Sequence, residues 1–169
     1  LEFRRVLFRS AAVVHDPCKG ETFAAERGLG ATLNGKPIHV SARRSLDEAL
    51  LVTGFPYDRR EHVGFYLRYF EAFLCRAQDV RRLGSASLDL CYVAAGRFDG
   101  FWEWKLHPWD TAAGWLIVEE AGGRVTDFDG AAYDPWLPRI LATNGAIHEQ
   151  ALATMSRLPR GAASEKSGR

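Results

Sequence analysis

Sulfur, net charge and long apolar runs are all scarce in this 169-residue chain. The three cysteines, Cys18, Cys75 and Cys91, are odd in number and far apart. That argues against a disulfide framework and against a zinc site, and it points to a reducing, cytoplasmic setting. Lysine and arginine total 22 against 21 acids. A net charge of +1 therefore sets up no field that would draw in nucleic acid or an anionic membrane. The pairs Arg43–Arg44, Arg59–Arg60 and Arg81–Arg82 are most simply solvated. Gly, Asp or Arg interrupts every apolar run well before membrane-spanning length. What remains is 47% hydrophobic and 25% charged, an ordinary globular composition with enough residues for one sizeable core.

The first ten residues are set apart. Glu2–Ser10, "EFRRVLFRS", coincide letter for letter with the translation of a common sequencing adapter. The run is too short, and lacks the small-residue cleavage site, to be a signal peptide. Residues 1–10 are expected to be non-native, with the natural sequence entering near Ala11. The polar stretch 159–169 has no periodicity and is expected to be a disordered tail. One domain, 11–158, lies between them.

Within it "AAVVHD" predicts a strand ended by Pro17, and "ETFAAERGLGATLNGKPIHVS" predicts short strands turning at Gly28–Gly30 and Asn34–Gly35. "ALLVTGF", "DVRRLG", "RFDGFWEW", "RVTDFDG" and "RILATNG" predict further strands. Helices are predicted over 59–77, with Val63, Leu67, Phe70 and Leu74 as its apolar stripe, in "SASLDLCYVAAG", in "DTAAGWLIVEEAGG" and in "AIHEQALATMSRL". Alternating strands and helices, with hairpins at the start, give a layered α+β domain with mixed sheets packed against helices.

The stretch "HPWDTAAGW", residues 107–115, carries the main chemical candidate. Asp110 could cap a helix, since its carboxylate accepts the free N–H groups of a first turn. It could equally hold a hard cation bridging to a phosphate at that helix end. Ala112, Ala113 and Gly114 leave room for a ligand or for close helix packing. Residue chemistry alone leaves both possibilities open. His107, beside Pro and Trp, is more simply structural than a general base. Asp127, Asp129 and Asp134 sit in turn-rich sequence and are most simply turn formers. The aromatic group Phe98, Phe101, Trp102 and Trp104 suits a core or a dimer contact.

"WDTAAG" followed by "LIVEEAGGRVTDFDG" resembles the C-terminal signature of the inositol monophosphatase family, magnesium-dependent phosphatases of sugar and polyol phosphates. "VVHDPCKGETFAAERGLGATLNGKPIHVS" resembles the family's middle hairpins, and "RRLGSASLDLCYVAAGRFDGFWEWKLHPWD" resembles the approach to the signature. The resemblance runs from Val13 to about Leu158 and implies the family's layered α-β-α-β-α fold.

It also implies that Asp110 is a magnesium-binding carboxylate near substrate hydroxyls. Glu103, which would otherwise pass for an exposed strand residue, would hydrogen-bond sugar or polyol hydroxyls. Gly84, Ser85 and Ala86 would contact substrate, although Ser85 could simply cap its helix. Ser87 stands where many relatives have Ala. Asp16–Pro17 is not the family's Asp-Pro-x-Asp-Gly motif, because Lys19 stands where the second Asp belongs.

That motif, an upstream Glu and a Thr complete the family's metal shell, and the resemblance begins after them. The chain therefore reads as an N-terminally truncated fragment, expected to be inactive alone and to expose apolar surface. The implied parent hydrolyses inositol 1-phosphate with Mg2+ and forms a homodimer. The alternatives are a relative acting on fructose 1,6-bisphosphate, histidinol phosphate or a nucleotide 3′-phosphate, and a non-catalytic sugar-phosphate-binding protein. Nucleic-acid binding ranks last.

Overall fold

The computed structural model describes residues 10–158. The segments 1–9 and 159–169, on which the adapter and tail expectations largely fall, lie outside the described residues. The first four strands, β1 (Ala11–Asp16), β2 (Glu21–Glu26), β3 (Gly30–Leu33) and β4 (Lys36–Ile38), form an antiparallel meander in chain order. The Asn34–Gly35 turn works as predicted. Both residues have positive φ, 49° and 76°, which a tight two-residue hairpin requires.

The second sheet is mixed. It contains β5 (Leu50–Thr53), β6 (Asp79–Arg81), β7 (Gly100–Trp104), β8 (Arg124–Thr126) and β9 (Arg139–Thr143) in the order β6-β5-β7-β9-β8. β5 runs parallel to both β6 and β7, whereas β9 runs antiparallel to β7 and β8. Among the described residues four α-helices complete the domain: α1 (Val63–Leu74), α2 (Ala86–Ala94), α3 (Pro108–Glu120) and α4 (His148–Met155). Among the described residues no helix is long and apolar enough to cross a membrane.

The layers follow from which faces are apolar. The meander sets Ala12, Phe23, Ala25 and Ala31 against α2 and α3, together with one face of the mixed sheet. The other face of that sheet packs Trp102, Trp104 and Leu141 against Tyr66, Tyr69 and Phe73 of α1 and Ala151 and Met155 of α4. With helices on both sides, every residue of β7 is buried. The amphipathic alternation read in "RFDGFWEW" therefore does not place Glu103 in solvent.

Two helix expectations change. The helix predicted from residue 59 begins at Val63, and Tyr57–Arg60 forms a short 3-10 turn instead. Of its predicted stripe Phe70 packs against the core, while the other three residues face outward. Val63, Leu67 and Leu74 are about half exposed, while Tyr66, Tyr69 and Phe73 point inward. The aromatic face wins because it meets rings: Tyr69 packs edge-on against Trp104 at 4.5 Å, and Phe73 stacks on Trp102 at 4.3 Å. Elsewhere the exposed apolar side chains include Val13 on the edge strand of the meander and Trp109 before Asp110.

For Gly114, though not for the partly exposed Ala112 and Ala113, close helix packing is what the structure shows. A Cβ at Gly114 would lie 2.6 Å from Leu90, so this glycine lets α3 close on α2. At the far end of α3, Glu120 accepts the backbone N–H groups of Gly28 and Gly30 at 3.0 and 3.1 Å and ties the helix to the β2–β3 turn.

Candidate active site

The parallel strands β5 and β7 end together. Thr53 pairs with Trp102, and the Thr53 hydroxyl donates to the Trp102 carbonyl at 2.6 Å. One step further the register sets Gly54 beside Glu103. A Cβ at Gly54 would overlap the Glu103 carboxylate, so only glycine lets that carboxylate lie against the strand end. Arg82 stands over the Phe55 ring at 5.1 Å, next to Gly54.

Glu103 is 8% exposed, and its side chain has no hydrogen-bond partner among the described residues. Burial pushes its carboxyl up to about 8; the Asp89 carboxylate adds to the shift, Arg82 opposes it, and Asp110 adds a smaller push. Asp89, in the first turn of α2, is 1% exposed with both carboxylate oxygens unpartnered. Burial raises it to about 7, against the pull of Arg82. Glu103 thus lies within electrostatic reach of Asp89, Arg82 and Asp110, and Asp89 within reach of Arg82.

Gly84, Ser85 and Ala86 lead into α2, the helix that carries Asp89. Gly84 has φ 98° and turns the chain into the helix. Ser85 occupies the N-cap position, yet its side chain makes no capping bond, and its hydroxyl lies 3.4 Å from that of Ser87. The capping role open to Ser85 is therefore not used, and the first N–H groups of α2 stay available for an anion.

Asp110 is the third residue of α3, not its cap. The helix starts at Pro108, and Asp110 reaches back so that Oδ2 accepts the His107 N–H at 2.9 Å. Its other oxygen has no partner among the described residues. The carboxylate thus stabilises the helix start with one oxygen and can offer the second to a ligand.

The described residues do not by themselves fit a magnesium site. No group of three or more His, Cys, Asp or Glu side chains that could hold a metal occurs among them. Asp110 supplies one oxygen, and an octahedral shell needs several.

The other candidates are structural. His107 stacks on Trp109 at 4.5 Å. Asp127 accepts the N–H groups of Asp129 and Ala131, Asp134 that of Trp136, and Asp16 those of Cys18 and Lys19. Each closes a turn.

Asp89 and Gly54 are not among the residues singled out from the sequence, and Arg82 entered only in the pair Arg81–Arg82 read as solvated. Asp89 had a signal: a lone acid flanked by leucines in "SLDLCYVAA", a helix otherwise apolar on every side. Gly54, ending the strand "LLVTG", marked a close backbone approach. Arg82 had none beyond its charge.

Comparison with known proteins agrees with this architecture. Residues 9–160 match the model of the inositol monophosphatase family. An inositol-1-monophosphatase from Synechocystis is 47% identical over 151 residues, 89% of this chain and 53% of its own length. A Nus factor SuhB from Pseudomonas aeruginosa is 52% identical over 146 residues, 85% of this chain and 54% of its own. The solved structure of an inositol monophosphatase from Anabaena (Nostoc) sp. superposes with a TM-score of 0.86 at 46% identity, covering 89% of this chain and 60% of that one. The chain thus spans about half the length of the curated relatives it matches. With a family model covering most of its length and relatives near half identity, the chain belongs to the inositol monophosphatase family.

Proposed function

We propose that this chain, 11–158 in its domain, is the polyol-binding part of a magnesium-dependent phosphomonoesterase, with inositol 1-phosphate as its substrate. The observation that carries the reading is the Glu103 carboxyl, buried against Gly54 without a hydrogen-bond partner among the described residues and close enough to Asp110 to feel its charge. Its oxygens are not sealed off from outside, unlike those of Asp89, so a substrate hydroxyl can reach the carboxyl and supply the partner that the described residues do not. Family membership supplies the substrate class.

Each residue then has a role. Glu103 accepts or donates a hydrogen bond to a hydroxyl of the leaving alcohol and so fixes its orientation. Gly84, Ser85 and Ala86 present the positive end of α2 to the substrate. Asp110 would contribute its second oxygen to a magnesium ion, and the described residues supply no further carboxylate for that shell. That ion would activate water and stabilise the leaving oxygen. The complete protein acts in the cytoplasm as a homodimer, and this chain alone does not turn over.

Joining the chain to its upstream coding sequence and measuring phosphate release tests the proposal. Magnesium-dependent release from inositol 1-phosphate, abolished by chelation and absent from the 169-residue chain, supports it. Release from fructose 1,6-bisphosphate, histidinol phosphate or a nucleotide 3′-phosphate in preference moves the substrate within the same chemistry. Tight sugar-phosphate binding without release makes it a binding protein.

A further inference from the structure

The segment linking Glu103 to Asp110 is held from outside the site. Lys105, two residues past Glu103, has φ 56°. Asn34 is the only other non-glycine residue with positive φ among the described residues, and it sits in a hairpin turn that suits asparagine. Lysine has no such local preference, so contacts must hold it there. Its N–H donates to the Pro138 carbonyl at 2.6 Å, which fixes the backbone. Its ammonium donates to Oδ2 of Asp58.

Asp58 is itself gripped. Its Oδ1 accepts the hydroxyl of Tyr66 at 2.9 Å, and His62 Nε2 lies 3.8 Å from Oδ2. Tyr66 is 1% exposed and packs on Trp104, the residue between Glu103 and Lys105.

The spacing gives the pair its consequence. Asp58 lies four residues past Gly54, and Lys105 lies two past Glu103. Gly54 and Glu103 touch at the ends of neighbouring parallel strands, and the ion pair ties together the two chains leaving that contact. We infer that Asp58 and Lys105 are positioning residues: their ion pair latches the chain after β7 onto the chain after β5 and so seats the Glu103 carboxyl against Gly54. The functional weight of this latch rests on Glu103 contacting substrate, as proposed above; its structural effect does not.

The test needs neither substrate nor metal, so it stands apart from the phosphatase reading. The side-chain carboxyl carbon of Glu103 is followed by NMR through a pH titration of the chain, assigned with Glu103→Gln. It is compared across wild type, Asp58→Asn, Lys105→Gly and Lys105→Arg, with the buried His148 ring as a distant reporter. The expected wild-type midpoint is about 8. In Asp58→Asn and Lys105→Gly it falls by about one unit as water reaches the carboxyl. Lys105→Arg keeps the wild-type value, and His148 is unchanged throughout. Lys105→Gly carries the test if Asp58→Asn fails to fold, because glycine adopts the left-handed conformation without strain. An unmoved Glu103 in folded Lys105→Gly overturns the inference. So does a wild-type midpoint in the ordinary carboxylate range, or a parallel change at His148, which would mean general loosening.

Discussion

The two ends of β5 and β7 treat buried acids in opposite ways. At the start of the strands Asp99 is 4% exposed and fully employed. One oxygen accepts the Leu50 N–H at 2.7 Å, the other accepts the Ser41 hydroxyl, and Arg43 stands 3.9 Å away. At the far end Glu103 and Asp89 are about as deeply buried, with no hydrogen bond to either side chain among the described residues. The domain thus uses one acid to close the backbone at the start of the sheet and leaves two others, one on β7 and one on α2, open at the far end. Burial without partners costs stability, and the fold tolerates that cost where a ligand can supply the missing bonds.

Substitution should separate the two ends by sign. Asp99→Ala leaves Leu50 N–H and the Ser41 hydroxyl unpaired, and is expected to destabilise the chain by about 2–4 kcal/mol in denaturant unfolding. Asp89→Leu removes a buried charge that has no partner, and should stabilise by about 1–3 kcal/mol at pH 8. A large loss of stability from Asp89→Leu would mean that the open acid is doing structural work.

Between the two ends, Gly114→Ala probes packing alone. Its new methyl group would press on Leu90, and a loss of about 1–3 kcal/mol is expected on thermal unfolding.

Acidity offers a further contrast. Asp89 and Glu103 are raised to about 7 and about 8 in the fold, so the folded chain holds more protons than the unfolded chain from about pH 4 up to those values. Their contribution to stability is fully present below that window and is lost as pH rises through it. His148 works the other way. Buried between the hydroxyls of Thr126 and Thr143, each 2.9 Å from a ring nitrogen, it is lowered to about 4 by burial, with Arg124 adding to the shift. The unfolded ring takes up a proton from about pH 6.5 downward, so stability falls as pH drops from there to about 4. Unfolding free energies measured from pH 4 to 9 should bend both ways, and Asp89→Asn should flatten the upper limb while leaving the lower.

The smallest effect should come from Lys105→Gly. It gives up a surface ion pair worth about 0–1 kcal/mol and relieves a left-handed lysine of similar cost, so stability should stay within about 1 kcal/mol of wild type.

How much of this was legible depended on whether the signal was local. Turns were: Asn34–Gly35, Asp127 and Asp134 all do what their neighbours in the chain imply. Most strands and helices also lie where period and punctuation placed them. The α1 stripe misled because its outer face is as apolar as its inner one. Only the rings of Trp102 and Trp104, about thirty residues away in the chain, decide which face turns in. Within the proposed site, Glu103, Asp110 and the start of α2 came as candidates through the family resemblance. Asp89 and Gly54 gain their meaning from register and burial, which no local window contains. Glu103 itself looked like a solvent-facing strand position until helices covered both faces of β7.

The central claim is that Glu103 and Asp110 form the substrate side of a phosphatase site. Its most direct test is phosphate release from inositol 1-phosphate by the chain joined to its upstream coding sequence, with Glu103→Gln and Asp110→Asn alongside. The account predicts that Glu103→Gln raises KM about tenfold while largely keeping kcat, as loss of one hydrogen bond to an oriented hydroxyl should. Asp110→Asn should lower kcat by about two orders of magnitude and weaken magnesium dependence. Wild-type rates and affinities in both variants would contradict it.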